Sequence, residues 1–225
     1  MARQERAVRT RRAVVEAAAS VFAERGYAAA TIAEILERAG VTKGALYFHF
    51  DSKEALARGV IEEQTTRDHR VPREPKLQEW VDTGMSLAHQ IPRDVILQAG
   101  IRLSGDLQGR ALFGSAWPAW IERSTALLAE ARERGEVLPH VEPAQTAECF
   151  FGAWLGTQAF SEASSRWSDL SERVCVLYAH MLPAIATPAA LVRLDTGPDR
   201  GARVVREAEA EAERARRAAP VTAEV

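Results

Sequence analysis

Residues 31–56 read TIAEILERAGVTKGALYFHFDSKEAL, and their punctuation marks out a succession of short helices. Thr31 and Glu34 stand three apart at the head of an apolar repeat. That is the spacing of a capping box, in which the Thr hydroxyl takes a free backbone N–H while the Glu carboxylate reaches back. Ile32, Ile35, Leu36 and Ala39 line one face behind it, and Gly40 suits the left-handed residue that ends a helix. A short helix is expected from about Thr42 to near His49, and Asp51-Ser-Lys-Glu54 opens another with Leu56, Val60 and Ile61 as its apolar positions. A capped helix, a tight turn at Gly40-Val41 and a short second helix have the plan of a helix-turn-helix, whose second helix enters the DNA major groove.

Working outward, Val14, Ala18, Val21 and Phe22 recur on one face of a first helix that should stop near Arg25, ahead of Gly26. Downstream the periodicity stays helical. Helices are expected from Leu77 to before Pro92, from Asp94 to Leu107 and from Trp117 to Arg134, with a glycine-containing loop over 109–115. Glu142-Pro143 starts a helix running to Ser164, in which Gly152 and Gly156 either kink the chain or permit close packing. Ser168 to Leu182 follows, halted by Pro183, then a short piece from Pro188 to Leu194 and an exposed, charge-alternating helix from Gly201 to Arg217. No segment reads as a strand. The expected fold is all-α, with a three-helix DNA-binding head (1–50), a connecting helix (51–70), a ligand-binding and dimerisation bundle (71–198) and a charged tail (199–225).

The whole chain has a net charge of −2 over 225 residues, which excludes a general basic coat. Residues 1–53 nevertheless hold nine Lys and Arg against six acids, so any nucleic-acid site is local. Cys149 and Cys175 lack the spacing of a zinc site or disulfide framework and are expected as small buried residues in a reducing compartment. No apolar run reaches membrane-spanning length, and the opening MARQERA lacks the apolar core of a signal peptide. A cytoplasmic protein is expected. No phosphate-binding glycine loop, nucleophile elbow or paired zinc histidines occur, so no catalytic residue, cofactor or metal is assigned.

The run GVTKGALYFHFDSKEAL (40–56), with Arg25-Gly-Tyr27 and TIAEIL (31–36), resembles the DNA-binding head of the TetR family of transcriptional regulators. The opening MARQERA, the form TKGALYFHF and the aromatic-rich body further resemble one branch, the γ-butyrolactone receptors of antibiotic-producing actinobacteria. The resemblance implies a homodimeric repressor on a pseudo-palindromic operator of double-stranded DNA. A lactone-type effector, a γ-butyrolactone or butenolide, would release it, and its targets would be genes of antibiotic synthesis. Within the family the alternative is a pseudo-receptor answering to an antibiotic or its intermediate. Outside it, the alternative is an all-α enzyme or adaptor with an incidental head.

Within the head, Leu46 and Phe50 should face the core, leaving Lys43, Gly44, Ala45, Tyr47 and Phe48 for DNA, although core packing is the competing reading for Tyr47 and Phe48. Lys43 suits guanine O6/N7 or a phosphate, and Gly44 allows close backbone approach. Tyr47, His49, Thr31 and Thr42 offer groups for phosphate oxygens. Lys53 reads equally as a phosphate contact or a solvated charge, and Arg3 stands for an N-terminal arm along the backbone or in a minor groove. For the effector, an aromatic-lined cavity is expected. By the same resemblance Trp120 corresponds to the tryptophan lining the receptors' pocket. Trp117, Trp154 and Phe160 are further aromatic candidates, while Gln64 is a candidate donor to a ring carbonyl, and Thr157 and Gln158 are candidates for bonding a hydroxyl or carbonyl. Ordinary core packing, solvation and local hydrogen bonding are the alternatives at these positions. The helices over 142–164 and 168–182 are the expected dimer face.

Overall fold

The computed structural model describes residues 2–67 and 71–218, with side chains over 4–67 and 71–217, and contains helices with no strand among those residues. It divides into two compact units, Met1–Arg67 with Arg93–Trp120, and Asp68–Pro92 with Ile121–Val225.

The first unit holds α1 (Ala2–Ala29), α2 (Ile32–Ala39), α3 (Lys43–Tyr47) and α4 (Lys53–Thr65). Val14, Ala18, Val21 and Phe22 of α1 meet Ile35, Leu46, Phe50, Leu56 and Val60 in one buried cluster. Gly26 breaks α1 with φ 75° and ψ 174°, as its position in the sequence implies, and a last helical turn follows. The capping box is present: Thr31 Oγ1 accepts from Glu34 N at 3.2 Å, and Thr31 N donates to Glu34 Oε2 at 3.1 Å. The Thr31 hydroxyl and the Thr31 N–H, both donating to the carboxylate, hold the Glu34 carboxyl below the usual range. Gly40 ends α2 in the left-handed region at φ 63°. Thr42 and Ser52 cap α3 and α4 by accepting from Ala45 N and Ala55 N.

The same unit contains α6 (Val95–Gly105) and α7 (Leu107–Phe113). The compact unit therefore extends past residues 1–50 and takes in α4, α6 and α7. Ile96, Ala99, Leu103 and Phe113 all join its core. Helix α7 replaces the expected loop: Asp106 accepts from Gln108 N and Gly109 N, and the Phe113 ring lies over Gly109, where a Cβ would come within 2.3 Å of it. At the Gly26 break, Arg102 of α6 donates to Ala23 O (2.7 Å) and Glu24 O (3.2 Å), the carbonyls just ahead of it.

The second unit is built on α5 (Lys76–Gln90), α9 (Pro143–Ser165), α10 (Leu170–Ile185), α11 (Pro188–Leu191) and α12 (Arg200–Ala218); the division between units falls within α8 (Trp117–Glu133). Trp80, Phe150 and Tyr178 form its aromatic centre, with ring centroids 4.4–5.4 Å apart. Gly84 makes room for it, since a Cβ there would sit 2.3 Å from Tyr178 Oη. Pro183 does not halt α10, which runs two residues further. Both Pro183 and Ala179, whose carbonyl loses its donor, are exposed, so water can take the lost bond.

Helix α12 is seated on α5 rather than exposed throughout. A Cβ on Gly201 would lie 2.1 Å from Met85 O, and Val204 is fully buried. Buried Asp82 accepts from Arg200 Nε (2.7 Å), Arg73 Nε (2.9 Å) and Gln78 Nε2 (2.7 Å). The cysteines also depart from expectation: Cys149 is exposed, and Cys175 is half-buried with its thiol pushed up by burial.

Candidate DNA-binding and effector sites

Helix α3 turns Leu46 fully inward and nearly buries Phe50 just beyond its end. Its outer side carries Lys43, Gly44, Tyr47 and Phe48, all exposed, with Phe48 at 78%. Core packing of Tyr47 and Phe48 is thereby set aside. The Lys43 ammonium stands 5.8 Å from the centre of the Tyr47 ring, placing the two side chains on one flank. His49 is half-buried and meets the Phe48 ring edge-on at 5.0 Å, and Ala45 is half-buried behind this row.

Two assigned residues are occupied elsewhere. The Thr31 hydroxyl donates to Glu34 Oε2 at 2.9 Å besides accepting from Glu34 N, so the cap uses it. Lys53 Nζ donates to Tyr27 O (2.8 Å) and Ala30 O (2.9 Å), with the Tyr27 ring centre 4.3 Å away. It is a clamp on the end of α1 and not a free solvated charge. Burial and the Glu54 carboxylate push the Tyr27 hydroxyl up to about 12. Lys53→Met should lower the unfolding free energy by about 1.5–3 kcal/mol and leave the salt slope of DNA binding unchanged. Urea unfolding and salt titration check this; intact stability with a slope reduced by about one would instead make Lys53 a phosphate contact. The side chain of Arg3 lies outside the described residues.

The effector candidates fall in both units. In the first, Gln64 is buried and presses against Gly100, where a Cβ would lie 2.1 Å from its Oε1. Neither Gln64 Oε1 nor the hydroxyl of Ser104, one turn beyond Gly100, has a hydrogen-bond partner. Trp120 is half-buried against the core of this unit, and the Arg110 guanidinium lies 4.4 Å from the Trp117 ring centre. Ser104 and Gly100 escaped the sequence reading, although a glycine inside a helical pattern signals close packing.

In the second unit α9 divides its candidates between two faces. Trp154 and Gln158 are buried; Trp154 Nε1 lacks a partner, and Gln158 Nε2 donates to Glu162 Oε2 at 3.3 Å. Phe160 is turned outward, 60% exposed beneath the Arg173 guanidinium, and the Thr157 hydroxyl donates to Ala153 O. These two line an open groove of about 520 Å3 with Gly156, Val176, Leu177 and His180. One face of α9 cannot present all four, so Thr157 and Phe160 leave the internal set. At the end of this helix Asp169 accepts from Ser161 and Ser165 and pairs with Arg173, which hold its carboxyl far below the usual range.

Comparison with known proteins agrees with this architecture. The profile of the bacterial regulatory proteins of the tetR family matches residues 14–60, the stretch from the middle of α1 to α4. Over its full length the chain is 40% identical to the A-factor receptor protein of Streptomyces griseus, covering 80% of that protein. The crystal structure of full-length native TylP, a TetR regulator from Streptomyces fradiae, superposes with a TM-score of 0.84 at 39% identity, covering 90% of this chain and 99% of that one. A γ-butyrolactone receptor described as ArpA-like gives a TM-score of 0.64 at 26% identity, with 90% of this chain and 98% of that one covered. The chain belongs to the tetR family of transcriptional regulators, with the DNA-binding helix-turn-helix at its N-terminus.

Proposed function

We propose that the protein is a cytoplasmic repressor that seats α3 in the major groove of a two-fold related operator as a homodimer. A lactone-type molecule, a γ-butyrolactone or butenolide, releases it. Genes of antibiotic synthesis are its targets, the role that likeness to butyrolactone receptors implies. The observation that carries the reading is the division of α3, with Leu46 locked inward and Lys43, Gly44, Tyr47 and Phe48 standing free. Lys43 suits guanine O6/N7, while Tyr47, His49 and Thr42 suit phosphate oxygens.

A helix of five residues reaches only a few base pairs, so useful specificity needs two copies. The outer face of α9 and α10 supports that pairing. Phe160 and Val176 are exposed along its groove, and Gly152 and Gly156 have open space above them. Sedimentation is expected to give a dimer at micromolar concentration, and a stable monomer binding a single half-site tightly would overturn this.

For the effector, buried Gln64 offers an unpartnered carbonyl oxygen, which accepts from a hydroxyl and does not donate to a ring carbonyl, and Trp120 offers an apolar wall. A ligand can release DNA only by favouring the DNA-incompetent arrangement. Moving the population from 99:1 to 1:99 takes roughly 5.5 kcal/mol, or under about 3 kcal/mol from each of two sites. Burying a short acyl chain at ~0.8 kcal/mol per methylene reaches that. Because Trp120 packs on the core, Trp120→Phe is the cleaner test than Trp120→Ala. Operator-bound protein titrated with γ-butyrolactones should be released, with Trp120→Phe needing more ligand. Gln64→Ala should weaken the ligand by about 0.5–1.5 kcal/mol. Release of both variants at the wild-type concentration would place the effector elsewhere.

A further inference from the structure

The outer side of α3 carries one feature that neither phosphate contacts nor hydrogen-bonded base readout uses. Phe48 is 78% exposed although it adjoins a well-packed core, and its ring has no hydrogen-bonding group to offer. Its position is defined on both sides. Phe48 N donates to Gly44 O at 3.0 Å, continuing the helical geometry, and the His49 imidazole meets the Phe48 ring at 82°. Gly44, one turn earlier, lies on the same side of the helix, and a Cβ built there would find no atom within 4 Å. Bare backbone at Gly44 and an exposed aromatic ring at Phe48 therefore follow one another along the same side of the helix, with exposed Lys43 and Tyr47 beside them.

In the major groove the bases present donors, acceptors and a single apolar group, the 5-methyl of thymine. A methyl carbon makes favourable contact at about 3.5–4.0 Å, and the space over Gly44 is open to receive one. We infer that Phe48 is a specificity-determining residue that reads a thymine methyl, with Gly44 leaving room for it. The inference rests on the proposed seating of α3 in the major groove. It assigns a base identity to a side chain that no polar contact explains. A solvent-facing phenylalanine is otherwise an unfavourable choice beside a lysine and a tyrosine, and base contact would withdraw its ring from water.

The test uses full-length protein and the best duplex it selects from a randomised DNA library. Each thymine is replaced singly by deoxyuridine, which keeps every hydrogen-bonding group and removes only the methyl. Wild-type protein should bind about fourfold less tightly at one thymine per half-site, and about 15-fold less when both symmetric positions are changed. Phe48→Ala should lose that discrimination while still binding DNA, and Phe48→Leu should keep part of it. Since Phe48 is exposed, the variants should retain the wild-type thermal midpoint, which is measured alongside. Wild-type discrimination persisting in Phe48→Ala, or no thymine whose methyl matters, overturns the inference while leaving DNA binding intact. Failure to select any duplex overturns the groove seating itself, and the inference with it.

Discussion

Lys43→Ala should cost the protein most of its preference for its operator. Lys43 is exposed at the start of α3, beside Tyr47, and its ammonium has no carboxylate partner among the described ion pairs. One lysine-to-guanine contact is worth about 1–3 kcal/mol of discrimination. A homodimer carries the substitution twice, so the loss is about 2–6 kcal/mol, or roughly 30-fold to above 10⁴-fold in affinity. Random DNA should be affected far less, through one lost phosphate-range charge per subunit. Paired gel-shift titrations on operator and random duplexes read the difference directly, and Lys43→Arg should restore part of it. Unchanged affinity for both duplexes would mean that α3 does not lie in the groove.

The second large effect lies far from DNA in sequence. Asp82→Ala removes the buried carboxylate shared by Arg200 and Arg73 within the second unit, leaving these two largely buried guanidinium groups only the more exposed Asp195 and Glu207 as partners. Breaking such a buried network from one side costs about 3–5 kcal/mol, a large part of the stability of a domain. Gln78 loses its acceptor in the same step. Urea unfolding should register the full cost, and limited proteolysis should find α12 cut before the rest of the unit. A change below about 0.5 kcal/mol would place these groups in solvent rather than in a buried cluster. Asp82→Leu is a useful companion, because filling the space without the charge separates packing from ion pairing.

The helix-turn-helix is legible in the sequence because each of its boundaries has its own local cause. Thr31 with Glu34, Gly40, Thr42 and Ser52 decide the ends of α2, α3 and α4 within a few residues of themselves. What escapes is decided by distant partners. Helix α7 reads as a loop because Gly109 looks like a breaker, and only the ring of Phe113 explains the glycine. The alternating charges of α12 suggest a solvated helix, yet Arg200 pairs with a residue on α5 that no local pattern identifies. Lys53 reads ambiguously for the same reason, since its partners are carbonyls at the end of α1. The effector candidates on α9 share a stretch of sequence but not a face. Helical spacing sets Phe160 apart from Trp154 and Gln158, whereas Thr157, three residues from both Trp154 and Phe160, lies between the two faces, and only its packing shows which side it takes.

The seat of α12 on α5 also bears on how the chain matures as it leaves the ribosome. Gly201 must slide beneath Met85 before this side of α5 is covered, so the second unit stays open until residue 201 and the helix behind it have emerged. At about 5–20 residues per second, Met85 waits roughly 6–23 s for Gly201. The first unit is also discontinuous, but it is completed by Trp120. Synthesis thus delivers a finished DNA-reading end while the other unit is still being made. During that interval the Met85 side of α5 is a surface for chaperones to guard.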